Sequence, residues 1–245
     1  MGGLNRSYFK TKKVVNQEVL MKATGATAQN AAKFLPSINS ILSRHGINTP
    51  ERVLAFLAQI GQESGGLRWT EELASGSAYE GRGDLGNTQS GDGVRYKGRG
   101  LIGITGRTNY KWMSNALGED FISHPEKISE PKWAVETAAY FWSHHPKGDL
   151  SKIADKMDVK KSINDTQNDT AYRLITKRIN GAEDGPQTHL NVRKSLWSQG
   201  QDSVIKWVKK HPLRTMAIGA FILIGIGATI YLLMSNKNKI ITTLS

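Results

Sequence analysis

The sequence predicts a mainly α-helical protein that ends in one helix long enough to cross a membrane. Apolar residues recur at three-to-four spacing through residues 27–46 and 50–64, the period of a helix with one buried face. Similar patterns occupy 131–145, 168–179 and 189–197. The stretch Met216–Met234 is apolar all the way round, with only Thr229 and Tyr231 carrying polar groups. Any sheet is expected to be minor, so the fold is α+β at most.

Residues 1–26 are mixed and basic and read as an N-terminal arm. The first helix is expected to start near Thr27, with Phe34, Leu35, Ile38, Ile41 and Leu42 on its apolar side, and to stop at Gly46. Pro36 offers a second helix start inside it. The next helix is better marked. Thr49 can cap it, Pro50 fits its first turn, and Glu51 complements the positive end of the dipole. Val53, Leu54, Phe56, Leu57 and Ile60 then line one face, and Gly65–Gly66 end it. Residues 75–108 are rich in Gly, Asn, Asp and Ser, and loops of that length usually carry function or short strands. Trp112, Trp133 and Trp142 sit among apolar helical neighbours and read as core. The folded domain is therefore drawn at 27–197, followed by a basic linker at 198–215 and a short polar tail at 235–245.

The nineteen residues of Met216–Met234 cover ~28 Å as a helix, close to the ~30 Å hydrocarbon core of a bilayer. Lys206, Lys209, Lys210 and Arg214 precede the span, and Lys237 and Lys239 follow it. A lipid membrane is thus an expected partner, through a single-pass C-terminal anchor. The charge bias points the N-terminal domain to the cytoplasmic side. No apolar run after Lys10, Lys12 and Lys13 is long enough for a signal peptide, so cleaved secretion is not expected.

Lys and Arg number 33 against 21 Asp and Glu, a formal net charge of +12 that favours anionic surroundings. The cations are scattered, and no arginine-rich tract is interleaved with aromatics, so nucleic acid is not an expected partner. With no cysteine, disulfides and thiolate metal sites are excluded. The glycines of GDGVRYKGRG lack phosphate-loop spacing, and adjacent His144 and His145 diverge on a helix, so neither cofactor nor metal is expected.

Glu63 falls in the last turn of the 50–64 helix, just before the Gly-Gly break. A carboxyl there faces the negative end of the dipole, and partial burial adds desolvation. Both favour the protonated form that a general acid needs. Glu72, preceded by Glu71, follows in a segment that the glycines allow to fold back. Two carboxyl groups facing one another across a groove are the machinery of glycoside hydrolysis, ~6.5–9.5 Å apart in inverting enzymes. Glu80 is the rival for the second carboxylate. Trp69, Tyr79 and Tyr96 lie near the expected cleft, where aromatic rings stack on sugars.

These residues carry a family resemblance. The runs FLPSINSILSRHGINTPERVLAFLAQIGQESGGLRWTEEL and AYEGRGDLGNTQSGDGVRYKGRGLIGITGRTNY resemble the catalytic helix and loop of glycoside hydrolase family 19, the chitinases and related phage endolysins. AVETAAYFW and ITKRINGAEDG are similar to later elements in type and order, so the likeness covers roughly residues 30–197. It implies a lysozyme-like α-rich fold and inverting cleavage of a β-1,4-linked amino-sugar polymer. It makes Glu63 the general acid and Glu72 the general base. Thr105 matches a hydroxyl that helps hold the attacking water, Asn109 an Asn that contacts sugar, and Asn180 and Arg193 residues of the cleft. Two positions depart from the pattern: Gln62 stands where His is common, and Gly103 where Gln is usual, which removes one expected substrate hydrogen bond. The loop NTQSGDG is closer to the endolysin branch. The expected function is a membrane-anchored hydrolase of peptidoglycan glycan strands in phage entry or host lysis, fixed in a virion membrane or the host inner membrane. The alternatives are a chitinase, and a virion membrane protein that keeps the fold without the activity.

Overall fold

The computed structural model describes residues 14–181 and 188–210. Helices α1 (Gln17–Thr24), α2 (Ala28–Ile41), α3 (Pro50–Glu63), α4 (Asp92–Arg95), α5 (Arg107–Leu117), α6 (Pro131–Ser143), α7 (Ser151–Ala154), α8 (Thr166–Asn180) and α9 (Leu190–Lys210) make up most of it. Among the described residues the only extended pairings are the isolated bridges Glu71↔Arg99 and Arg99↔Ile104. The expected α-rich class holds, and the sheet component is vestigial.

Helix α3 is the centre of the molecule. Thr49 caps it by accepting from the Arg52 amide, Pro50 occupies the first turn, and every residue from Val53 to Gly61 is buried. A helix buried on all sides needs small residues where neighbours cross. A Cβ built on Gly61 would lie 2.6 Å from Cα of Thr24, so α1 touches α3 backbone to backbone. Phe56 meets Trp142 of α6 edge-on, with ring centroids 5.4 Å apart. A second cluster, Tyr96, Ile104, Tyr110, Met113, Phe121 and Ile128, packs beneath the loop region, with Trp112 and Trp133 partly buried against it.

Three expectations need correction. Residues 14–26 are not an arm: Asn16 caps α1 by accepting from Val19, Gly25 ends it at φ 71, and Val15, Val19, Leu20 and Ala23 enter the core. Pro36 starts no new helix, because α2 runs through it unbroken from its Thr27 cap. Ser198–Asp202 is not a linker but the middle of α9. Its polar residues Ser198, Gln199 and Asp202 face solvent, while Gly200 is buried against Ala23 and Leu54. Both ends of the domain thus extend beyond 27–197. The membrane span expected at 216–234 and the tail at 235–245 lie outside the described residues. Among those described, no helix is long and apolar enough to cross a membrane.

Candidate active site

Glu63 is the last residue of α3, and the chain leaves it through an unusual turn. Gly65, Gly66 and Leu67 all take left-handed backbone angles, φ 57, 74 and 59. Glycine adopts these freely, but Leu67 does so at a cost of roughly 1–2 kcal/mol. Full burial of its side chain offsets that cost. Ser64 ties the turn together: its hydroxyl donates to Ile60 O and accepts from the Leu67 amide, and its carbonyl accepts from Arg68 and Trp69. Trp69 emerges 42 % exposed, with the Arg68 guanidinium 4.5 Å above its ring.

The Glu63 carboxylate is held from behind. Its Oε1 accepts from Arg193 Nη2 at 2.6 Å, and the side chain remains 24 % exposed. Arg193 itself is buried and donates also to Gln59 Oε1 at 2.6 Å and Thr188 O at 2.7 Å. Gln59 passes its own Nε2–H to Thr176 Oγ1, and the Tyr172 hydroxyl returns to Arg193 O. Arg193 is therefore not placed to be a sugar ligand. A fully buried guanidinium has no surface to offer one, and it acts through Glu63. Asn180, half-buried, ends α8 four residues after Thr176.

Glu72 sits in the paired segment opposite Gly98. Its amide donates to Gly98 O at 2.9 Å, and the Gly98 amide donates back to Glu72 Oε2 at 3.1 Å. The Tyr79 hydroxyl donates to Oε1 at 3.0 Å. Thr105 shares this corner: a Cβ on Gly98 would lie 3.1 Å from Glu72 Oε2 and 3.3 Å from Thr105 Oγ1. The bare glycine leaves room between carboxylate and hydroxyl. Thr105 gives its proton to Gly103 O at 2.8 Å, so its oxygen is left to accept from a water. Asn109 donates to Thr105 O at 2.8 Å and so fixes the turn that carries the hydroxyl. Neighbouring Glu71 turns away to Lys97 and Arg99. Burial opposes its charge, but those cations hold its carboxyl below the usual carboxylate range.

Glu80, the rival for the base, is committed elsewhere. Its two oxygens accept the amides of Gly91 at 2.7 Å and Gly93 at 2.8 Å, closing the start of α4. Tyr96 is a correction: it is 1 % exposed, packs on Tyr110 and under Arg107, and donates to Ile122 O. Polar surroundings in the sequence concealed an aromatic core, so Tyr96 stacks on no sugar. Gly103 takes φ 66 with open space where a side chain would stand. The sequence reading missed Gln59, whose signal was a lone amide on the apolar face of α3, one turn before Glu63. It also missed the bond from Tyr79 to Glu72.

His145 joins α6 to the end of α8. Its Nε2–H donates to Arg178 O at 3.0 Å, and its Nδ1 accepts from the Lys147 amide at 3.1 Å, an arrangement that requires the neutral ring. Burial, with Arg178 and Lys147 nearby, depresses its pKa below 6.5. The unfolded chain binds this proton more readily than the folded one, so stability present above pH 6.5 is lost as pH falls toward the folded value. The urea midpoint is expected to drop between pH 7.5 and 5, with a shallower slope in His145→Gln. Equal slopes would remove His145 as the cause.

A helical domain that offers one carboxylate backed by a guanidinium and a second beside a hydroxyl has the groups that glycoside hydrolysis uses. The chain belongs to glycoside hydrolase family 19: residues 18–197 match the family model described as Chitinase class I. It is 26 % identical over 198 residues to a glycosyl hydrolase family 19 domain-containing protein of Haemophilus influenzae, covering 68 % of this chain and 88 % of that one. It is 30 % identical over 126 residues to Endochitinase CHI of Arabidopsis thaliana, covering 49 % of this chain and 43 % of that protein, so the plant relative is spanned for less than half its length. Chitinase C from Streptomyces griseus superposes with a TM-score of 0.57 at 19 % identity, over 83 % of this chain and 95 % of that one. A bacterial family 19 chitinase gives 0.53 at 19 % identity, over 78 % and 95 %. At such identities the superpositions speak for the shared lysozyme-like α-rich fold alone.

Proposed function

We propose that this glycosidase cuts β-1,4 bonds in the glycan strands of bacterial peptidoglycan with inversion, anchored to a membrane through residues 216–234. The observation that carries the mechanism is the contrast between its two carboxylates. Glu63 has one oxygen held by Arg193, leaving Oε2 to protonate the departing sugar oxygen. Glu72 lies beside the accepting oxygen of Thr105, a pair suited to hold a water and take its proton. A net charge of +12 supports an anionic cell-wall substrate. The cationic face of the exposed Trp69 supports a sugar that bears a carboxylate. A phage enzyme of entry or lysis, seated in a virion membrane or the host inner membrane, is the setting these features fit.

Endochitinases among the relatives favour chitin as the second reading. The test compares the detergent-solubilised full chain on isolated peptidoglycan and on colloidal chitin, by release of reducing ends. Peptidoglycan is expected to be cut at least roughly tenfold faster. Faster cleavage of chitin would reverse the substrate assignment, and no cleavage of either would return the chain to a structural role. Recovery of the intact chain in the detergent-free soluble fraction would contradict the anchor.

A further inference from the structure

We infer that Tyr79 is a positioning residue for the water-activating carboxylate, its phenol fixing the plane of Glu72 from the side opposite Gly98; this rests on Glu72 being the base. A carboxylate held by one donor still rotates about its last bond. Here each oxygen has its own donor, the Tyr79 hydroxyl on Oε1 at 3.0 Å and the Gly98 amide on Oε2 at 3.1 Å. The amide belongs to the backbone and cannot be deleted. Tyr79 is the side-chain half of the clamp.

The fold invests several independent contacts in placing that phenol. Tyr79 ends a single 3-10 turn, Ser77–Tyr79, that begins at Gly76 with φ 86. A Cβ on Gly76 would stand 2.6 Å from Gly93 O and 2.7 Å from Lys97 Cβ, so the turn is pressed against the segment leading to Gly98. The carbonyl of Tyr79 accepts from Asn87 Nδ2 at 2.9 Å, and fully buried Asn87 accepts in turn from the Arg107 amide at 2.9 Å. The next residue, Glu80, grips the amides of Gly91 and Gly93. Loop 76–93 thus closes on itself on both sides of Tyr79, and its hydroxyl delivers the one bond that reaches Glu72. Burial, then the bond to Glu72, raises the pKa of the phenol, so it stays a donor throughout the neutral range. This bond also separates Tyr79 from a sugar-stacking role, in which the ring face matters and the hydroxyl does not.

Tyr79→Phe keeps the ring and deletes the bond. In the full chain, assayed on soluble peptidoglycan fragments, kcat is expected to fall roughly tenfold with KM within about twofold. The acidic limb of the kcat profile should move to higher pH, because a donor that stabilises the charged carboxylate is gone. Incorporating 3-fluorotyrosine at position 79 restores the hydroxyl and should restore kcat to within about twofold, with the limb moved to lower pH by the stronger donor. It also serves if the phenylalanine variant fails to fold. Glu72→Gln is run in parallel and is expected to be inactive. Wild-type kcat and an unmoved limb in Tyr79→Phe, beside an inactive Glu72→Gln, overturn the assignment of Tyr79. A rise in KM alone would make the hydroxyl a sugar contact instead. Full activity in Glu72→Gln overturns the base itself.

Discussion

Glu63→Gln should cut the rate of glycan hydrolysis by roughly 10²–10⁴-fold, the contribution typical of a positioned proton donor. The amide is isosteric and keeps an oxygen for Arg193 Nη2, so the network behind it survives in outline. What disappears is the proton that the proposed mechanism delivers to the leaving group. Binding of the substrate should change little, because the substitution removes an interaction made in the transition state rather than in the ground state. The buried guanidinium loses its counter-charge, which is expected to cost about 1.5–3 kcal/mol of folding stability. Rates are therefore compared well below the thermal transition of the variant. Unchanged lysis of permeabilised bacteria by Glu63→Gln would remove Glu63 from its role.

Arg193→Met should damage stability and catalysis together. Arg193 is 1 % exposed and satisfies three acceptors at once, on Glu63, Gln59 and Thr188. Methionine fills the volume but takes the guanidinium donors away from Gln59 Oε1, Thr188 O and the Glu63 carboxylate. Removing one partner of a buried ion pair typically costs about 3–5 kcal/mol, and chemical denaturation reads that loss directly. The rate should fall as well, since the carboxylate of Glu63 is then free to leave its position. Lys at this site recovers part of the stability and little of the rate, because an ammonium cannot present the planar fork that meets the three acceptors. A loss under 1 kcal/mol would mean that the network supports neither fold nor site.

Helix α3 was legible because its signals are local. Thr49, Pro50 and Glu51 mark the start, and Gly65–Gly66 mark the end, which places Glu63 at the edge of a turn by chemistry alone. Helix α1 was not, because it has only eight residues and its burial comes from Gly61 and Gly200, far away in the chain. The same distance hid the role of Arg193: 130 residues separate it from Glu63. It entered through family likeness, as a residue of the cleft rather than the support behind it. Tyr96 misled for a related reason. Loop 75–108 is polar in composition, yet Arg107 and Tyr110 fold over that ring and seal it. Family likeness preferred Glu72 over Glu80, and the backbone amides that both Glu80 oxygens accept, from Gly91 and Gly93, were not legible in the sequence.

The anomeric form of the first product tests the paired-carboxylate mechanism most directly. Proton NMR in the first minutes of hydrolysis, before mutarotation, should show the new reducing end as the α-anomer, released from a β-linkage when a water activated by Glu72 displaces the leaving sugar at the anomeric carbon in one step. Appearance of the β-anomer first would mean retention through an intermediate, and would contradict the roles assigned to Glu63 and Glu72.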